Sequence, residues 1–158
     1  MIPAAANASA GVLIALDPGR GKCGLVRTDP DRKEIREALV LPPAATWRRL
    51  QAWLEAAERP ERVVLGNGTG SAAWRQRLEP LLAVTVVDER GSTLAARRRY
   101  WQLFPPRGWR RLLPEGLRQP PRDWDDVVAQ LLLERWLGRP LPRRGTGGDQ
   151  REARTVKA

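Results

Sequence analysis

VLIALDPGRGKCGLVRT, residues 12–28, decides how this chain is read. The apolar run 12–16 delivers Asp17 at its end, Pro18 and Gly19 turn the chain, and a second apolar run occupies 23–26. Turn formers between two β-prone runs predict an antiparallel hairpin. It sets one carboxylate where a buried strand emerges, beside a bend that carries Arg20 and Lys22. Such a corner suits a metal ion or a phosphate.

Outward from the hairpin, 34–41 offers a third and weaker strand, ended by Pro42 and Pro43. Thr46 is the expected N-cap of a helix to about residue 57, with Trp47, Leu50, Trp53 and Leu54 as its apolar stripe. The continuous apolar run within 62–66 suits a strand covered on both faces, and it opens into the glycine-rich 66–70 and a helix to about residue 82. A further buried-type strand, 83–87, ends at Asp88 and Glu89, and Ser92 or Thr93 is expected to cap the next helix. The stretch 107–122 reads as an irregular binding loop or mobile lobe. Asp123, Asp125 and Asp126 open the last helix, whose apolar pattern runs to Leu137 and stops at Gly138.

One cysteine, Cys23, lies in a predicted strand and reads as a core thiol of a reducing compartment. The 158 residues contain no histidine, which excludes His-based triads and mixed Cys/His metal sites. A net charge of +10 favours a polyanionic partner, nucleic acid before membrane. The opening residues lack the pattern of a secretory signal, so the expected location is the cytoplasm. The expected organisation is a flexible terminus at 1–10, one α/β domain at 11–137 and a basic flexible tail at 138–158.

Three segments place acids at similar element ends: Asp17, then Asp88 and Glu89, then Asp125 and Asp126. Strand ends of an α/β sheet can converge on one crevice, where clustered carboxylates need a cation. Mg²⁺ or Mn²⁺ is the expected cofactor because these ions prefer oxygen ligands and keep waters that reach a phosphate. Such ions activate water for phosphodiester hydrolysis without histidine. Each acid also has a plainer role: Asp17 holding its turn, Glu89 pairing with Arg90, Asp125 capping its helix.

LDPGRGKCG at 16–24, VVLGNGTG at 63–70, VDERGST at 87–93 and DDVVAQLLLERWL at 125–137 together resemble the YqgF/RuvX family of ribonuclease H-like nucleases, also called Holliday junction resolvase-like proteins. The resemblance implies a five-stranded mixed sheet with its first three strands antiparallel and helices on both faces. It assigns Asp17, Glu89 and Asp125 as catalytic residues and metal ligands, with Asp88 and Asp126 as additional acids. It also implies a metal-dependent nuclease, with 5′ maturation of precursor 16S ribosomal RNA as the first assignment. Holliday-junction or other structure-selective DNA cleavage is the alternative. GNGTG at 66–70 and Gly91 depart from the usual bacterial pattern and resemble the related domain of Tex-type transcription factors. The third reading is therefore a catalytically silent nucleic-acid-binding module.

Between residues 88 and 122 nine arginines face three acids, which makes this the expected substrate-holding region. Arg20, Lys22, Asn67, Thr69, Arg90, Arg97, Arg98, Arg107, Arg110 and Arg111 are the candidate contacts to nucleic acid. Most tryptophans are expected in the core, with Trp109 placed among arginines. The expected partners are structured RNA, precursor 16S rRNA first, or branched DNA, with no membrane and with a monomer or weak homodimer both open.

Overall fold

The computed structural model describes residues 11–145. Strands β1 (Leu13–Asp17), β2 (Cys23–Thr28) and β3 (Ile35–Leu41) form an antiparallel meander, followed by helix α1 (Pro43–Glu55). Strand β4 (Arg62–Gly66), helix α2 (Ser71–Leu78) and strand β5 (Ala83–Val87) come next. Helices α3 (Ser92–Leu103) and α4 (Asp125–Leu137) complete the fold, with two short 3-10 turns between them. The sheet order is β3-β2-β1-β4-β5, with β4 and β5 parallel to β1. This is the five-stranded mixed sheet of the ribonuclease H-like architecture.

The period of two along β1 divides the core between the two faces. Leu13 and Ala15 pack with Val26, Val64 and the α4 residues Ala129, Leu132, Leu133 and Leu137. Ile14 and Leu16 pack on the opposite face with Leu25, Val63 and Leu65, beneath Leu50 and Trp53 of α1 and Trp74 and Leu78 of α2. Each fully buried leucine of this kind contributes about 1.5–3 kcal/mol of apolar burial. Helix α3 packs against α4 rather than the sheet, through Ala96, Tyr100, Trp101, Val127 and Val128. Cys23 is a buried thiol, its pKa pushed up by burial.

Alternation also orients the site. Asp17 continues the Leu13–Ala15 series, so it emerges on the α4 face. Its ladder partner is Gly24, and a methyl group at Gly24 would lie 1.8 Å from the backbone oxygen of Asp125. The first turn of α4 therefore rests directly on the hairpin backbone. Gly24→Ala is expected to destabilise the fold by about 1–3 kcal/mol, because backbone has to move. An unchanged denaturation midpoint would refute this packing.

Four expectations are corrected. Thr46 does not cap α1: Pro42 occupies the cap, and the Thr46 hydroxyl, inside the first turn, donates to the carbonyl of Pro42 at 3.0 Å. Ser92 is the first residue of α3 and Thr93 lies within it, with left-handed Gly91 at the cap. Strand β5 is not covered on both faces; it is an edge strand, with Ala83 and Val86 exposed.

The fourth concerns the segment expected as a tail. Its described part, 138–145, stays on the body: Leu141 is buried, and Arg143 bridges to Ile35 of β3. Gly138 ends α4 in the left-handed conformation, which turns the chain back along the helix. Residues 1–10 and 146–158, expected to be flexible, lie outside the described residues. No described helix is long and apolar enough to cross a membrane.

Candidate metal-binding and nuclease site

Asp17 reaches the site as the last residue of β1, and Glu89 reaches it two residues beyond β5. The turn that carries Glu89 is tied to the glycine-rich connection. The Asn67 amide N–H donates to the Val87 carbonyl at 3.1 Å, and the Asn67 side-chain oxygen accepts from the Glu89 amide at 3.0 Å. Ser92 N–H then donates to the Glu89 carbonyl at 2.9 Å, closing the turn through Gly91. Asn67, expected to touch nucleic acid, is in the structure bonded to the turn that carries Glu89.

The Glu89 carboxylate turns inward over Gly66 and Gly68. A methyl at Gly66 would lie 1.8 Å from Glu89 Oε1, and one at Gly68 would lie 2.4 Å from Oε2. Glycine at these positions leaves the room that the carboxylate fills. Gly66→Ala is expected to leave the fold intact, because a side chain can move, but to displace Glu89. If the site works as a metal-dependent nuclease, a drop in that activity of about 10–100-fold, at little cost in melting temperature, is the expected signature. Wild-type activity in that variant would show that Glu89 need not sit there.

Asp17 and Glu89 come within hydrogen-bonding reach, and the Asp17 pKa is raised from 3.8 to about 8. Burial is the largest cause, followed by the bond to Glu89 and the charges of Glu89 and Asp125. Burial also raises the Asp125 pKa, against its own backbone N–H and Lys22. Glu89 Oε1 is buried and has no hydrogen-bond partner. A buried carboxylate beside a second carboxyl group is costly unless a proton or a cation joins them. The all-oxygen donors fit a hard divalent ion such as Mg²⁺ or Mn²⁺. Among the described residues, no group of three or more Asp, Glu, His or Cys side chains is gathered closely enough to hold a metal. Asp17 and Glu89 are the close pair, and Asp125 is an electrostatic neighbour.

The additional acids are engaged elsewhere. Asp88 accepts the Arg90 amide at 2.9 Å and pairs with the Arg90 guanidinium at 3.0 Å, and this amide bond lowers its pKa. Asp126 is buried between Arg122 and Arg143, each at 2.8 Å. Burial opposes its charge, but the two arginines more than offset this and hold the pKa below the usual carboxylate value. It is a structural anchor for the chain after α4. Arg143 is a partner that sequence reasoning missed, because its meeting with Asp126 depends on the returning 138–145 segment, whereas Arg122 stands one helical turn before Asp126.

The basic candidates separate in the same way. Arg20 and Thr69 are exposed at the two turns flanking the site. Lys22 crosses to the α4 approach, pairing with Asp123 at 2.5 Å. The Arg90 side chain is almost fully exposed. Arg97 is half-buried, and Arg98 lies 3.9 Å from Glu115. Arg99, the third of that run, is instead locked to Glu134 through two nitrogens at 3.0 and 2.8 Å. Arg107 and Arg111 are exposed, and Arg110 stacks on Trp109 at 5.0 Å from the ring centre.

No protein-family model matches the chain, and no curated protein does. Among solved structures, T. thermophilus RuvC in complex with a Holliday junction substrate is similar with a TM-score of 0.46 at 18% identity, covering 79% of this chain and 95% of that one.

Proposed function

We propose that this chain is a metal-dependent nuclease that hydrolyses phosphodiester bonds in structured nucleic acid. The observation that carries the reading is the Asp17–Glu89 pair, with its buried Glu89 oxygen lodged over Gly66. Asp17 and Glu89 would hold the ion, and Asp125 would reach it from the helix. When bound, such an ion acidifies a water and stabilises charge on a phosphate oxygen. The protein holds the two carboxylates close, keeps Glu89 in place through Asn67, and lets Arg20 and Arg90 neutralise phosphates beside them. These contacts supply affinity rather than sequence specificity.

Four-way junction DNA and the 5′ region of precursor 16S ribosomal RNA are the two substrates to compare. Purified protein is assayed on end-labelled forms of both, with Mg²⁺, Mn²⁺ or chelator. Metal-dependent products support the nuclease, and preference for one substrate assigns its class. Salt-sensitive binding without cleavage in any metal would favour the silent binding module. Asp125's separation from the close pair is the observation on that side.

A further inference from the structure

The lobe between α3 and α4 turns apolar side chains outward. Trp109 is 64% exposed, Leu112 87% and Leu117 67%. The other tryptophans are buried or partly buried, in keeping with the core role expected of most of them. Exposed apolar side chains gathered in a short segment mark an interaction surface.

This segment is held rather than loose. Arg118 donates to the carbonyl of Arg110 at 3.0 Å and to that of Arg111 at 3.4 Å, and its own carbonyl accepts from the Trp101 indole at 3.4 Å. Arg98 of α3 lies 3.9 Å from Glu115 of the lobe. The lobe is thus tied to α3 at two points while Trp109 stays outside.

The local charge selects the occupant. Arg107 and Arg111 are exposed on either side of Trp109, and Arg110 covers the indole from 5.0 Å. A cation on one ring face leaves the other for a flat group, and the neighbouring guanidinium groups suit the phosphates attached to it. Leu94, another exposed apolar side chain, stands one turn before Arg98 on the same face of α3, nearer the Glu89 end of that helix.

We propose that Trp109, framed by Arg107, Arg110 and Arg111, is a stacking platform for an unpaired nucleobase. It confers preference for substrates with single-stranded or unstacked nucleotides beside the cleavage point. This rests on the nuclease reading and specifies its substrate class. A paired base presents its edge rather than its face, so a fully paired duplex gains only the arginine contacts.

The test uses full-length protein carrying Asp17→Asn, so that probes survive. Affinity is measured by fluorescence anisotropy at fixed salt for a duplex with a single-stranded arm and for a blunt duplex of equal charge. Trp109→Ala is expected to weaken binding to the armed probe by roughly 5- to 100-fold and to leave the blunt duplex within about twofold. Trp109→Phe, which keeps a ring, should retain most of the affinity. Equal losses on both probes, or no loss on either, overturn the platform alone. Binding of neither probe before Trp109 is changed overturns the nuclease reading and the platform with it. A change in sedimentation with unaltered DNA binding would reassign the patch to protein contact and reject the proposal.

Discussion

Asp17→Asn is expected to reduce cleavage by about 10³-fold or more while making the protein more stable. Loss of a ligand that supports several kcal/mol of charge stabilisation sets the scale of the first effect. The second follows from linkage. The folded Asp17 carboxyl titrates at about 8 against 3.8 as the reference value, so between those values the folded state holds a proton that the unfolded chain has released. Stability contributed at this site therefore falls as pH rises from about 4 to 8; below that window there is no penalty, and above it the full penalty persists.

Asparagine has no charge to desolvate, and its amide can donate to the Glu89 carboxylate beside it. A gain of about 2 kcal/mol at pH 8, or roughly 4–8 °C in melting temperature, is expected in chelator, with a much smaller gain at pH 5. Mg²⁺ should raise the wild-type melting temperature at pH 8 and leave the variant unmoved. A variant that melts below wild type at pH 8 would contradict the carboxylate pair.

Asp126→Ala is expected to cost about 3–5 kcal/mol, while Asp125→Asn next to it costs little stability and most of the activity. Removing Asp126 takes the shared carboxylate from Arg122 and from the buried Arg143, and it releases the chain segment that Arg143 anchors. The depressed Asp126 pKa gives the acid limb: its contribution is present above the unfolded value of 3.8 and is lost as pH falls through the lower folded value. Urea denaturation of both variants, alongside the cleavage assay, separates the two neighbours. Equal stability of the two proteins would remove the anchoring role.

The strand pattern, the hairpin and the acids at element ends were legible because they depend on local periodicity and turn chemistry. Asp17 follows from its strand boundary, whereas the end of β5 offers Asp88 and Glu89 alike and the resemblance selects Glu89. The division between Asp125 and Asp126 was not legible, since consecutive helix residues point about 100° apart and only the partner element decides which faces the sheet. Arg99 differs from Arg97 and Arg98 for the same reason. The caps failed where Thr46 and Ser92 matched a common preference but Pro42 and Gly91 had already set the backbone. The segment after Gly138 read as tail because Leu141 is one apolar residue among basic ones, and one residue makes no pattern. Gly24 was overlooked as well, although counting the ladder back from the turn pairs it with Asp17.

That Asp17–Gly24 pair acts as a ruler. The gap between the first-strand acid and the last-helix acid is transmitted through one rung of the β1–β2 ladder and one close backbone contact, not through the long chain that separates them. The lobe carrying Trp109 lies entirely within that long chain. Its length and composition can therefore drift without changing the spacing of the acids, so under the proposed function substrate preference and bond-breaking chemistry would be separately heritable parts of one small domain.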